Sequence, residues 1–250
     1  MYFLPSLTDC IPQSFIREFA ARHGLAARSE AEYHHQFLRK KDHDNFFRRR
    51  IFLRRILDVH FRKNNFAPLG TNDTLAQGRR GKPKLIRADG SIYTGFNLSF
   101  TSDAVILAIT EGDEIANEIG SEIGVDIESV HRELRPEAMD AILRYFFQDD
   151  ERNYVYAAGS AQDRRRRFMT LWTRKEAVIK LLGEDMLSCT MELRCLNDVW
   201  LHTADGTEIR GTNFSIPGCP HLLACVALTH PVTEDDIQKT DARVFFKYPH

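Results

Sequence analysis

Gly124-Val125-Asp126-Ile127-Glu128 reads as a short strand. Side chains alternate across a strand, so Val125 and Ile127 enter a core while Asp126 and Glu128 share the opposite face. Two carboxylates on one side of an otherwise apolar strand suit Mg²⁺, a hard cation that prefers oxygen ligands and often shares them with a substrate phosphate. The alternative is an edge strand whose acids face water or pair with arginines.

Working outward, Leu171-Trp172-Thr173-Arg174-Lys175-Glu176-Ala177-Val178-Ile179-Lys180 reads as helix, with Glu176 and Lys180 four apart on one face. Glu176 offers a third metal oxygen or a base, and Lys180 a charge to neutralise or protonate a phosphate leaving group. An ordinary surface ion pair is the competing reading. In the other direction, Arg48, Arg49, Arg50, Arg54 and Arg55 fall on a helix, and Arg79, Arg80, Lys82 and Lys84 in a loop rich in Gly and Pro. Guanidinium forks match phosphate oxygens and Gly81 permits close backbone approach, although part of this material is expected to be solvated face.

The charge is split along the chain. The 250 residues carry 34 Lys+Arg and 35 Asp+Glu, a net of −1 that argues against a general nucleic-acid or membrane-surface binder. Residues 1 to 100 hold 18 basic and 9 acidic side chains, a net of +9, which leaves −10 for the rest. No apolar run approaches the roughly 20 residues of a membrane span. The first residues show no basic segment leading into an apolar run and a small-residue cleavage site, so a cytoplasmic protein without a secretory signal is expected. Five cysteines without CxxC spacing point to reduced packing residues rather than a disulfide framework or zinc site.

Periodicity places helix over 30–57, with a break near Lys41-Asp42, and mostly loop over 64–92. Strands are expected at 95–100, 104–110 and 123–128, helices at 136–158 and 164–182, and strands at 190–201, 207–216 and 222–229. The segment after Pro231 reads as a polar, peripheral tail in which Val244-Phe245-Phe246 offers an apolar docking element. A helix followed by an Asn/Phe/Ser strand and an apolar strand occurs in each half, at Arg50 to Ile109 and at Lys175 to Ala227. Two similar α+β halves explain the echo, with a boundary near 115–122, as does chance similarity of one helix and one strand pair.

Gly124 to Glu128 and Trp172 to Lys180, separated by 43 residues, together resemble the signature pair of the Sfp-type 4′-phosphopantetheinyl transferases. Gly81-Lys82-Pro83 resembles the family's GKP element, Phe96-Asn97-Leu98-Ser99 its F-N-[IL]-S-H element, and Asn45 to Leu57 its arginine-bearing helix. Phe146-Phe147 followed by Glu151 matches a helix start found between the signatures. The resemblance implies an α+β fold of two pseudo-twofold-related subdomains, 1–118 for the coenzyme A (CoA) nucleotide and 119–231 for Mg²⁺ and the catalytic carboxylates, with a tail at 232–250. It also implies transfer of the phosphopantetheine arm of CoA to a serine of an acyl or peptidyl carrier protein, releasing 3′,5′-ADP. The pathway could be fatty acid, polyketide, nonribosomal peptide or siderophore synthesis. By the same resemblance Asp126, Glu128 and Glu176 ligate Mg²⁺, Glu176 is the base, and Lys180 lies against the pyrophosphate. Arg50, Arg80, Gly81 and Lys82 hold the nucleotide and its 3′-phosphate, with Asn97 and Ser99 nearby and Arg79 beside them. A monomer is expected.

Three departures stand against the pattern. Phe100 takes the place of the family's histidine, Asn45 that of an arginine, and Gly183-Glu184-Asp185-Met186 that of G-x-G-L. Phe100 neither carries charge nor hydrogen-bonds a phosphate. They motivate an alternative, a non-catalytic member of the same fold that binds CoA or a carrier protein. Another Mg²⁺-dependent phosphate enzyme is a third possibility that the motif order does not favour.

Overall fold

The computed structural model describes residues 1–5, 11, 40–77, 82–101, 104–110, 123–184, 193–197, 199–237 and 239–241. Strand β1 (Tyr2–Pro5) precedes helix α1 (Lys40–Lys63), and a small antiparallel sheet follows from β2 (Thr74–Gln77), β3 (Pro83–Ile86) and β4 (Ile92–Tyr93). Next come the hairpin strands β5 (Phe96–Phe100) and β6 (Ala104–Ile109). The second half opens with β7 (Gly124–Ser129) and continues through helices α2 (Pro136–Phe146), α3 (Asp149–Tyr156) and α4 (Ala161–Leu182). Strands β8 (Leu201–His202), β9 (Glu208–Phe214), β10 (Leu222–Leu228) and β11 (Thr240–Asp241) complete the described chain.

Two four-stranded sheets organise these elements, in the orders β11-β1-β6-β5 and β7-β10-β9-β8. In each half a first strand, a long helix and a hairpin follow in sequence, and the last hairpin strand takes the place between the other two. Strand alternation divides the apolar residues into three clusters. Val105 and Leu107 of β6 pack with Ile51, Phe52, Ile56 and Leu57 of α1. Cys225 and Ala227 of β10 pack with Leu171, Ala177, Val178 and Leu181 of α4. The opposite faces, Phe3, Ile106, Val125, Ile127, Ala224 and Val226, form one shared core that joins the two sheets. Burying such side chains contributes about 1.5–3 kcal/mol each, which makes the shared core the main hold between the halves.

The α+β architecture, the β5-β6 and β9-β10 hairpins and strand 124–129 agree with the reading of the sequence. The differences have physical causes. Residues 64–92 contain three short strands where mostly loop is expected, because Leu75 and Leu85 each supply one buried side chain to a run too short to show a period. The expected helix over 136–158 is two helices: Phe147 takes extended dihedrals, and Gln148 and Glu151 form a capping box that starts α3. Among the described residues of 190–201 only Leu201 enters a strand, and Cys195 to Asn197 turn instead. The tail is not wholly peripheral, since Thr240 and Asp241 pair in parallel with Tyr2 and Phe3 and Val232 and Ile237 touch the shared core. The boundary near 118, Cys10, Cys189 and Val244-Phe245-Phe246 lie outside the described residues.

Candidate active site

Gly124 sets the site because it lacks a side chain. A Cβ there would stand 1.9 Å from the Ala177 carbonyl oxygen and 2.6 Å from the Leu181 nitrogen. Only glycine lets the α4 backbone approach so closely, and that approach lays Glu176 and Lys180 over Asp126, two residues along β7. The ends of α4 are fixed as well. Ser160 accepts from the Asp163 amide at 3.0 Å, and Gly183, at φ 60°, closes the C-terminus with its amide on the Ile179 carbonyl.

Asp126 is buried, and its Oδ1 receives Lys180 Nζ at 2.5 Å and Ser99 Oγ at 2.8 Å, while Lys180 also donates to Ser99 Oγ at 2.8 Å. Glu128 lies on the same face and is engaged by Arg132 at 2.6 Å. Burial, then the neighbouring Asp126, push the Glu128 carboxyl up; Arg132, Lys180 and the Trp172 side chain oppose this. Glu176 is pushed up further, to about 7, by burial first and then by Asp126, with Glu128 adding to the effect and Lys180 opposing it. Three carboxylates therefore sense one another across the β7–α4 contact.

Asn97 and Ser99 also converge here, as fasteners of the seam. Asn97 Oδ1 accepts from the Val125 amide at 3.3 Å and its Nδ2 donates to the Lys180 carbonyl at 3.5 Å; the Ile127 amide donates to Ser99 Oγ at 3.3 Å. Lys82 donates to the Leu181 carbonyl at 2.7 Å, tying the first half to the C-terminal end of α4. Arg50 stands apart, on the α1 side of β5, where it donates to the Leu75 carbonyl at 2.6 Å. Arg79, Arg80 and Gly81 lie outside the described residues, as do Asp185 and Met186.

Not all the basic helix is free for phosphate. Arg54 is buried and donates to the carbonyls of Asp73, at 2.8 Å, and Gly70; Arg48 is buried and donates to Ile11 at 2.9 Å and to Asn45 at 3.3 Å. These arginines satisfy backbone carbonyls of a loop that lacks regular partners. A second polar cluster went unread in the sequence. Lys175 and Glu151 are fully buried and paired at 2.8 Å; Lys175 also donates to Leu193, and Glu151 accepts from the amides of Cys195 and Gln148. Lys175, next to Glu176, points away from the carboxylates, as strict helical spacing requires. The signal was present: a lysine inside an apolar helix face demands a buried acid, and Glu151 stands in a helix start.

The donor set fits a divalent cation of the Mg²⁺ type. All three candidate ligands are carboxylates, Asp126 Oδ2 is buried with no hydrogen-bond partner, and the Lys180 ammonium already supplies positive charge at Oδ1. As the side chains lie, no three His, Cys, Asp or Glu groups among the described residues stand close enough together to hold an ion. Arg132 engages one oxygen of Glu128.

The site thus places a strand-borne carboxylate pair, Asp126 and Glu128, beneath a helix that carries Glu176 and Lys180. Residues 122–221, which include both signature segments, match the family model for the 4′-phosphopantetheinyl transferase superfamily (ACPS). No curated protein matches the chain. Among the described residues no helix is long and apolar enough to cross a membrane.

Proposed function

We propose that this chain is a Mg²⁺-dependent, Sfp-type 4′-phosphopantetheinyl transferase that moves the phosphopantetheine arm of CoA onto a serine of an acyl or peptidyl carrier protein and releases 3′,5′-ADP. The observation that carries this reading is the meeting of Asp126, Glu128, Glu176 and Lys180 at the β7–α4 contact, inside the segment that matches the superfamily. Asp126, Glu128 and Glu176 would hold the cation, which when bound offsets the charge of the pyrophosphate. The serine oxygen forms a bond to the phosphorus that bears the arm, and the bond from that phosphorus to the ADP oxygen breaks. A Glu176 carboxylate lifted to about 7 is suited to take the serine proton. Lys180 donates to the departing phosphate. The subdomains run 1–118 and 119–231; Arg50, Arg79, Arg80, Gly81 and Lys82 would hold the nucleotide, and Asn97 and Ser99 keep Asp126 and Lys180 in register. The protein works as a cytoplasmic monomer.

Incubation with CoA, Mg²⁺ and a panel of apo carrier proteins is expected to add one phosphopantetheine to the carrier by mass. Asp126→Ala and Glu176→Gln should each lower transfer by about a hundredfold to a thousandfold with folding retained. Wild-type rates in either variant overturn the site assignment. CoA binding without transfer to any carrier, beside an active control enzyme, favours the non-catalytic reading, to which the pairing of Glu128 with Arg132 lends weight.

A further inference from the structure

Residues 164 to 167 are four consecutive arginines near the start of α4, and the structure divides them. Helical spacing turns Arg164 and Arg167 toward α2 and α3. Arg164 donates to Asp140 at 2.6 Å and lies over the Tyr156 ring at 4.5 Å; Arg167 donates to the Tyr154 carbonyl at 2.7 Å and lies over the Tyr154 ring at 4.7 Å. Arg165 and Arg166 go the other way. They line a cavity of about 390 Å³ together with Val130, His131, Ala161 and Gln162, between the first turns of α4 and the turn that follows β7. That volume lies within the roughly 300–1,000 Å³ typical of small-molecule sites.

The cavity is built for negative charge. Among the described residues no acidic side chain lines it, and the side chains of Arg165, Arg166 and His131 make no hydrogen bond or ion pair with a described residue. Two neighbouring guanidiniums repel each other, and a shared tetrahedral anion relieves this while accepting from both forks. His131 is held in place. The Val130 amide donates to the His221 carbonyl at 2.9 Å, and the His131 and His221 rings stack with centroids 5.7 Å apart and planes 18° from parallel. Stacking occupies a face of each ring and leaves an edge N–H to donate. Ala161 and Gln162 open α4, whose first-turn amides add positive potential, and the acid of that turn, Asp163, is engaged by the Ser160 hydroxyl at 2.7 Å. Arg166 precedes Glu176 by ten residues, roughly 15 Å along the helix, so the cavity is separate from the carboxylate cluster.

We propose that this cavity is a second anion site, apart from the reaction centre, that takes a small phosphate-bearing anion. Arg165 and Arg166 bind the phosphate as a pair, His131 donates from the side, and Val130 and Ala161 supply an apolar wall for a compact carbon body. Free phosphate and the phosphate ester of a small metabolite share this chemistry. The inference stands independently of the transferase reading.

The test is calorimetric titration of the metal-free protein, at constant salt, with inorganic phosphate and with glycerol 3-phosphate. At least one is expected to bind with a Kd of about 1 mM or tighter, and the imidazole proton signals of His131, assigned with His131→Gln, should shift in the same titration. Arg165→Ala combined with Arg166→Ala should weaken binding at least about tenfold, the effect of losing a charge-assisted contact. The double variant should fold as the wild type does, since neither guanidinium has a partner within the protein. Lys180→Gln, at the reaction centre, should keep the affinity within about twofold. Tighter binding of glycerol 3-phosphate assigns the cavity to a phosphorylated metabolite, and tighter binding of inorganic phosphate assigns it to the free anion. Wild-type affinity in the double arginine variant, loss of binding in folded Lys180→Gln, His131 signals that do not respond, or no binding of either probe overturns the site and leaves the transferase reading standing.

Discussion

Strands β1 and β7 open the two halves with the same connectivity and opposite chemistry. Each pairs antiparallel with the last strand of its half, and each lies beneath a long helix. On β1 the helix-facing residues are Tyr2 and Leu4, which join the apolar cluster under α1. On β7 they are Gly124, Asp126 and Glu128. One scaffold therefore serves twice, first as plain packing and then with the apolar face exchanged for a glycine and two acids. The difference teaches where the second half keeps its stability: away from the site, in the shared core and in the buried ion pair behind α4.

Removing that ion pair's cation should have the largest effect. Lys175→Met leaves Glu151 charged and enclosed, at a cost of about 3–5 kcal/mol, whereas the double change Lys175→Met with Glu151→Leu should recover most of it. Urea denaturation of the three proteins measures this. A single variant as stable as the wild type would mean that Glu151 is compensated elsewhere. Transfer activity should return in the double variant as stability does, because Lys175 is spent on Glu151 and the Leu193 carbonyl behind α4.

Next in size is the contact that the two halves do not share. Gly124→Ala forces a methyl group into the α4 backbone and is expected to cost about 3 kcal/mol, since helix and strand must part. Leu4→Ala in the first half removes a fully buried side chain and should cost about 2–4 kcal/mol. Their consequences differ. Gly124→Ala should lose transfer beyond its loss of stability, since Glu176 and Lys180 move with α4; Leu4→Ala at a temperature where it stays folded should keep it. Equal activity per folded molecule in the two variants would show that the close approach at Gly124 is only a packing feature.

Both acidic motifs were legible in the sequence because their chemistry is local: alternation on a strand puts Asp126 with Glu128, and helical spacing puts Glu176 with Lys180. The two-half organisation showed in the sequence only as an echo of one helix and one hairpin; the two four-stranded sheets have matching strand orders. What stayed hidden depends on distant partners. Asn97 and Ser99 read as ligand-facing residues, yet their buried positions on β5 commit them to the amides and carbonyls of β7 and α4. Arg48 and Arg54 read as phosphate-binding or solvated, yet they serve loop carbonyls that no periodicity announces. The three strands within 74–93 are too short for their pattern to rise above the glycines and prolines around them.

The smallest effect is the one that reads the carboxylate cluster directly. Glu176 is lifted from 4.5 to about 7, first by burial and then by Asp126. The folded protein thus holds this proton more tightly than the unfolded chain does. Its contribution to stability is fully present below the unfolded value of 4.5 and is lost as pH rises through about 7. With a chelator present, stability should fall between pH 5 and 8, and after allowance for the solvent-facing part of the side chain this group accounts for about 1–2 kcal/mol of the fall. Glu176→Gln should remove that share of the slope. Mg²⁺ added at pH 8 should stabilise the wild type more than the variant, because a cation binding only the folded state restores by mass action what the ionised cluster costs. Denaturation curves at the two pH values, with chelator and with Mg²⁺, measure all three. An unchanged slope in Glu176→Gln would mean that the three carboxylates do not act as a unit, and the contrast between β7 and β1 would then be one of polarity alone.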